Sequence, residues 1–444
     1  LRTLERPSSE ESSECPSAGN SRFRCGEEAD PEGSGPAPVR DVGGGGYGAD
    51  MSWFRLLPTP EQEEAMLAHC QHARYVWNLA VEQQRHWQPG RQAPRYLEQA
   101  AQLTEARAEY AWLRTGSQTV QQEALRDFAQ AMKNFFAGTH RRPTWRNAGV
   151  HEGFRQVGVK PRHVERLNRR FGQVWVPKVG WVRFRVSGPV PEDVKSYRVT
   201  RDRAGRWHVA LAQIPRPIAG PGDGSVVGID RGVAVSVALS TGEMLHAPLL
   251  TPGESKRLKV LQHRLARAKR GSRRRQKTKL AIAKLSARER DRRNDWVEKI
   301  STDLARRFDV IRVEKLDVRA MTRSARGTVA HPGAGVAQKR GLNRAIRRSG
   351  WSKPVTRLRN KAFGRVEQIP AAYTSQRCSA CGRIAPGNRK SQAVFECEAC
   401  IAGRCNADVN AARNIAAGRA VTARGDLAVG RSANREPQLT TPAA

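Results

Sequence analysis

Cys378-Ser379-Ala380-Cys381 and Cys397-Glu398-Ala399-Cys400 are two CxxC pairs with 15 residues between them. Each CxxC turn aims two sulfurs at one point. If the chain between the pairs folds back as a hairpin, the four thiolates close a tetrahedron around Zn²⁺. A redox role would need only one pair. The pattern contains neither a histidine nor a water-activating carboxylate, so the zinc is expected to be structural. Cys405 is a spare that competes with Cys400, and Cys70 is expected to pack in a core. Thiols available to a metal imply a reducing compartment. No run of 18 apolar residues exists, and the N-terminus carries no apolar segment of signal-peptide type. A cytoplasmic protein with no membrane partner is therefore expected.

Charge is the second constraint. Lys and Arg number 78 against 42 Asp and Glu, a net +36. Such a chain repels itself unless a polyanion neutralises it, and nucleic acid is the expected partner. Hydrophobic residues are 39% and glycines number 39 in 444 residues. This permits an ordinary core, excludes wholesale disorder, and allows about two to four domains. The excess charge is uneven. Between positions 251 and 300 there are 18 Lys and Arg against 5 Asp and Glu. An apolar seam runs there through Leu258, Leu261, Leu265, Leu280 and Leu285, interrupted at Gly271-Ser272. A solvated helix does not need so lopsided a charge, so residues 254–300 are expected to form a phosphate-contacting helix or helix pair.

The remaining pattern is α+β. Residues 1–50 are rich in Ser, Glu, Gly and Pro and hold Cys15 and Cys25. They are expected to be disordered, with recognisable pattern beginning at Met51. Thr59, Pro60 and Gln62 are an N-cap, first-turn proline and capping-box partner. Leu67, Cys70, Trp77 and Val81 form one helix face, and further helices fit 95–114 and 117–137. From 170 to 215 the period shortens to that of strands, around Val174, Val176, Val182 and Phe184, then Tyr197, Val199, Val209 and Leu211, as in a small barrel or sheet. Lys178, Arg183, Arg185 and Arg198 alternate with them, either as a solvated face or as one turned to nucleic acid. After a Pro/Gly-rich linker, Val226–Ile229 is a buried strand. Val233 to Leu239 alternates like a second, and Met244-Leu245-His246 starts a third. A strand Val310–Val313, a loop-like stretch 320–345 and a helix near 353–365 follow. The tail after Gly418 has no pattern.

Three acids stand out by position. Asp230 ends one buried strand, Glu314 ends another, and Asp408 opens a helix. Singly, an Asp at a strand end is usually a turn residue and one at a helix start an N-cap. Together, strand ends on one sheet edge and a helix start beside them can converge. Three carboxylates at one point would not all ionise unaided. Divalent cations such as Mg²⁺ or Mn²⁺ relieve that repulsion. Two such ions about 4 Å apart activate water and steady the leaving oxygen of a phosphodiester. A basic chain with such a cluster is a nuclease candidate.

These residues resemble the TnpB family, the OrfB-type transposases now described as transposon-encoded RNA-guided DNA endonucleases related to type V CRISPR effectors. Gly228-Ile229-Asp230-Arg231-Gly232-Val233 resembles the first RuvC motif and Val313-Glu314-Lys315-Leu316 the second. Thr374-Ser375-Gln376-Arg377-Cys378 resembles the zinc-ribbon entry, and Asp408-Val409-Asn410-Ala411-Ala412-Arg413-Asn414-Ile415 the third motif. Arg74–Asn78 resembles the N-terminal helical signature, and Gly350-Trp351 the stretch before the ribbon. The resemblance implies an α+β multidomain chain. A RuvC-like (RNase H-fold) nuclease core occupies 225–372 and 405–418, with a zinc ribbon inserted at 373–404. A wedge-like β-barrel at 51–58 and 140–220 precedes it, interrupted by a helical recognition segment at 59–139; the ends, 1–50 and 419–444, are disordered. It implies a catalytic triad of Asp230, Glu314 and Asp408 holding Mg²⁺ or Mn²⁺, and structural Zn²⁺ on Cys378, Cys381, Cys397 and Cys400. It also implies a guide RNA from the transposon end, a target DNA and a bacterial, nucleoid-associated site of action. The oligomeric state stays open. Three positions depart from the family pattern: Arg231 where an apolar residue is usual, Ile401 for Gly, and Asn406 for Asp, which bears on metal-site tuning. Two other functions fit the same features: an RNA-guided DNA-binding regulator without efficient cleavage, and an accessory transposase. No Tyr or Ser nucleophile motif supports strand transfer.

Overall fold

The computed structural model describes residues 50–86, 94–213, 216–401 and 403–418. The expected disordered ends, apart from Asp50, lie outside these residues, as do Cys15 and Cys25.

The first part of the described chain is a seven-stranded antiparallel sheet with helices packed on it. Its strands are β1 (Asp50–Leu56), β2 (Gly153–Val157), β3 (Val164–Arg166), β4 (Phe171–Val176), β5 (Gly180–Arg185), β6 (Ser196–Arg201) and β7 (Trp207–Gln213), in spatial order β2-β6-β7-β1-β5-β4-β3. The helices are α1 (Pro60–Arg85), α2 (Tyr96–Glu109), α3 (Ala111–Thr115) and α4 (Gln118–Phe136). At α1 the capping box forms as its spacing predicts: Thr59 Oγ1 accepts from Gln62 N–H, and Gln62 Oε1 accepts from Thr59 N–H. Met66, Cys70, Ala73 and Trp77 are buried on its inner face, with Leu67 and Val81 at the rim. The single helix expected over 95–114 is two, because Tyr110 takes extended backbone (φ −101°, ψ 108°). The Arg74–Asn78 signature pins the incoming chain. Arg74 pairs with Glu152 at 2.9 Å, Trp77 Nε1 donates to the Thr144 carbonyl, and the Arg146 guanidinium lies 3.5 Å from the Trp77 ring. The alternating cations divide between two uses. Arg198 pairs with Asp127 on α4 at 2.7 Å and Lys178 donates to the Thr115 and Gly116 carbonyls, so both hold helix to sheet. Arg183 and Arg185 stay exposed.

The second part is a five-stranded sheet in the order β10-β9-β8-β11-β12. It comprises β8 (Val226–Asp230), β9 (Val237–Leu239), β10 (Met244–Leu245), β11 (Val310–Lys315) and β12 (Val366–Pro370). Strands β8 to β10 are antiparallel; β11 runs parallel to β8, and β12 to β11. The connections supply α5 (Pro252–Arg267), α6 (Arg273–Arg307), α7 (Val318–Met321), α8 (Val336–Ser349) and α9 (Ser352–Lys361), and α10 (Ala407–Ala416) closes the described chain. The basic helix pair breaks at Gly271 (φ +80°), with Ser272 capping α6. Its seam is only partly buried: Leu261 and Leu285 are inside, whereas Leu280 is 40% exposed. Two readings need correction. Val233 and Val235 lie in a loop closed by the Gly232 N–H to Val235 carbonyl bond, and β9 itself is buried at every position rather than alternately. The stretch 320–345 is not all loop. Its glycines masked α8, whose start takes Gly335 in the left-handed region and whose Ile346 is buried.

Candidate active site and metal centre

Strand alternation aims the first two acids. Val227 and Ile229 face a core of Leu304, Phe308, Val355 and Leu358 from α6 and α9, as do Ile311 and Val313. Period two therefore turns Gly228 and Asp230, and Arg312 and Glu314, to the opposite face. There α10 lies so close that a Cβ on Gly228 would sit 2.0 Å from the Ala412 carbonyl oxygen. Arg312 donates to the Ala416 carbonyl at 2.6 Å. Val313 registers on Ile229, so Asp230 and Glu314 are the next residues along parallel neighbours. Asp408 is in the first turn of that same helix.

Asn406, not Asp408, caps α10: its side chain accepts from the Asp408 and Val409 N–H groups at 2.9 and 3.1 Å. The aspartate is thus released from the capping duty usual at its position. Its carboxylate instead accepts from Arg389 Nη2 at 3.2 Å. Burial, together with the negative charges of Glu314 and Asp408, pushes Asp230 up to about 7. Burial also raises Glu314, opposed by the Thr374 hydroxyl and the Arg231 and Arg389 cations. Thr374, itself buried, donates to Glu314 Oε1 at 2.7 Å. Hard oxygen donors crowded until one holds its proton fit a divalent cation, which would satisfy all three. The carboxylate oxygens are not all within 4.8 Å of one another, a spacing that a pair of ions about 4 Å apart could bridge.

The cysteines are closer. Among the described residues they form the one group whose ligand atoms all lie within 4.8 Å. Cys378 and Cys400 sulfurs are 3.7 Å apart, and those of Cys381 and Cys397 are 3.6 Å apart. A tetrahedron with Zn–S bonds of ~2.3 Å has edges of about 3.8 Å, so the set fits zinc. The Ala399 N–H donates to Cys397 Sγ at 3.4 Å and heads the causes that lower this thiol to about 7, favouring the thiolate a metal needs. The second knuckle lies in the hairpin of β13 (Val394–Glu396) and β14 (Arg404–Asn406). Cys405 packs beside the cluster without joining it. Ile401 is fully exposed, so its side chain takes no part in the cluster.

Ribbon and carboxylates are joined by side chains. Asn410 accepts from Ser379 N–H at 3.0 Å and donates to the Arg377 carbonyl at 2.7 Å. Asn414 donates to the Arg377 and Thr374 carbonyls. Sequence reasoning did not assign roles to Thr374, Arg389, Asn410 or Asn414. Two asparagines at i and i+4 on one side of a helix rich in alanine are a signal for the last pair; Arg389 carries none.

Residues 208–325 match the family model described as "Probable transposase", 351–415 match "Cas12f1-like, TNB domain", and 53–90 match "Helix-turn-helix domain". A protein named as an RNA-guided DNA endonuclease, InsQ of Escherichia coli (strain K12), is 35% identical over 396 residues, which cover 86% of this chain and 96% of its own. One so named from Streptomyces pristinaespiralis is 31% identical over 417 residues, covering 87% and 96%. A solved Cas12f1–sgRNA–target DNA complex shares the mixed α+β fold, at a TM-score of 0.50 and 14% identity over 80% of this chain and 82% of that one. With two relatives above 30% identity along nearly their whole length, the chain belongs to the TnpB family of OrfB-type transposon proteins.

Proposed function

We propose that this protein is a transposon-encoded, RNA-guided DNA endonuclease that hydrolyses phosphodiester bonds with divalent metal ions. The observation that carries this reading is the shared face of Asp230, Glu314 and the first turn of α10, with Asp230 pushed up to about 7 by burial and then by the charges of Glu314 and Asp408. The strand order β10-β9-β8-β11-β12, antiparallel then parallel, supports a RuvC-like (RNase H-type) core. In this reading the seven-stranded sheet is the wedge-like barrel and α1 to α4 the recognition segment.

Asp230, Glu314 and Asp408 would hold Mg²⁺ or Mn²⁺. When bound, such ions supply an activated water and charge stabilisation for the leaving oxygen. Thr374 orients Glu314, and Arg389 orients Asp408 while keeping a positive charge beside the site. Zinc on the four cysteines holds the ribbon, and with it the start of α10. Guide RNA and target DNA are the partners. Base pairing reads the sequence, while the protein grips backbone. The α5–α6 pair suits that grip: among the described residues, none of its cations from Lys256 to Lys284 is paired with a carboxylate. Among the described residues no helix is long and apolar enough to cross a membrane.

The test is cleavage of a plasmid matching the RNA that co-purifies with the protein. The wild type should cut in Mg²⁺, and Asp230→Ala should be at least about a hundredfold slower. Equal rates would overturn the assignment. Guide-matched binding with no breaks by the wild type would instead favour the regulator, and strand joining the transposase.

A further inference from the structure

The backbone ladder between β8 and β11 registers pairs only as far as Ile229 and Val313. The two acids lie one residue beyond it: Asp230 still registers on Ala238 of β9 and Glu314 on Ile369 of β12, but no ladder pair joins the two to each other. Three side-chain bonds close that gap. Arg231 Nη2 donates to the carbonyl of Glu314, and Arg231 Nη1 donates to the carbonyl of Trp351 at 2.9 Å. Trp351 Nε1 in return donates to the Gly232 carbonyl at 3.0 Å. The loop after β8, the end of β11 and the start of α9 are thereby tied into one ring. Arg231 and Trp351 are each only 7% exposed.

Burying this arginine is costly. It has no ion pair with a carboxylate among the described residues, and its Nε–H finds no acceptor there. An apolar side chain would avoid that cost. What only a guanidinium supplies is a planar fork whose two ends reach carbonyls on different elements; a lysine presents a point charge. The fork grips the peptide oxygen of Glu314, leaving the carboxylate of that residue free.

We infer that Arg231 and Trp351 are positioning residues, a clamp that sets the spacing of the Asp230 and Glu314 carboxylates and so the affinity of the site for a divalent cation. This rests on the metal-site reading above. Groups that orient metal ligands in this indirect way change affinity or activity by about 10–100-fold.

The experiment is a Mn²⁺ titration of the full chain with its co-purified RNA, followed by electron paramagnetic resonance. Asp230→Ala supplies the background from ions bound elsewhere, and each variant is also melted in zinc-replete buffer free of Mg²⁺ and Mn²⁺. Trp351→Phe keeps the ring and removes one donor; Arg231→Lys keeps the charge and removes the fork. Both should melt somewhat below the wild type, as loss of buried hydrogen bonds requires, yet stay folded at the temperature of the titration. Mn²⁺ should bind about tenfold more weakly to Arg231→Lys and severalfold more weakly to Trp351→Phe, and raised Mg²⁺ should restore part of the cleavage. Wild-type Mn²⁺ affinity in both variants would overturn the clamp while leaving the metal site standing. Losses that track only the unfolded fraction would also overturn it, by showing a merely structural role. A wild type that binds no Mn²⁺ above the background would remove the metal site and the clamp together.

Discussion

Asp230 pays for its position in stability. Its carboxyl titrates near 3.8 in the unfolded chain and near 7 in the fold. Between those values the folded protein holds a proton that the unfolded chain has released. The metal-free protein should therefore lose stability as pH rises through about 4 to 7, with the whole loss present above that window. Asp230→Asn removes it. In zinc-replete buffer free of Mg²⁺ and Mn²⁺ at pH 8 this variant should melt a few degrees higher than the wild type, worth about 1–3 kcal/mol, and it should not cleave when Mg²⁺ is added; a lower melting point would show that burial and the neighbouring carboxylates do not oppose the Asp230 charge. Thr374→Val keeps the side-chain shape and deletes the O–H that Glu314 accepts. Single-turnover cleavage should slow by about tenfold with DNA binding intact, and an unchanged rate would remove Thr374 from the site. The positions of the three acids, at or beside strand ends and in the first turn of a helix, were legible in the sequence because such positions can be read locally. Thr374 and Arg389 were not, because each acts on a partner distant in the chain, 60 and 19 residues away.

At the scale of elements, α10 links the carboxylate face to the cysteine cluster. Its first turn carries Asp408, its cap Asn406 ends β14, and Asn410 and Asn414 hold the carbonyl just before the first zinc knuckle. Gly228 permits the close packing, since any Cβ there would meet helix backbone. Zinc removal should therefore do more than loosen the ribbon. In Cys397→Ser, or after chelation, hydrogen exchange should rise across 374–416 and stay unchanged in β6 and β7, and cleavage should fall in step with zinc content. Full cleavage by zinc-free protein would separate the two centres. The four-cysteine cluster was legible because ligand spacing is a local property. Helix α8 was not, because polar and charged residues outnumber its apolar positions and only packing against the rest of the fold reveals Ile346 as buried. The shortening of β9 has the same origin, since the loop before it is held by Trp351, more than a hundred residues away.

Across the whole molecule, the net +36 does not act as a uniform coat. Part of it is spent internally. Asp202, on the turn between β6 and β7, gathers Arg206, His208 and Arg290, and Arg206 reaches on to Asp291 of α6 at 2.6 Å, fastening one sheet region to the other. The cations near the α5–α6 break are left for an outside polyanion. Replacing Arg273, Arg274 and Lys277 by Ala should weaken nucleic-acid binding with little regard to sequence. It should also reduce the log–log salt slope by up to about 2–3, measured by filter binding between low and physiological salt. An unaltered slope would place the phosphate path elsewhere. Composition revealed the excess charge, but not which cations are used internally; Arg198 on β6 and Lys178 in the turn between β4 and β5 show that a sheet cation can serve as a tie to a helix. The central claim is that acids from β8, β11 and α10 share divalent metal. It is tested most directly by anomalous diffraction at the manganese edge from crystals of the wild-type protein grown with Mn²⁺. The expected map has density bonded to carboxylate oxygens of Asp230, Glu314 and Asp408, and none there in Asp230→Ala. Manganese absent from that face, or the three carboxylates held more than roughly 10 Å apart in its presence, would contradict it.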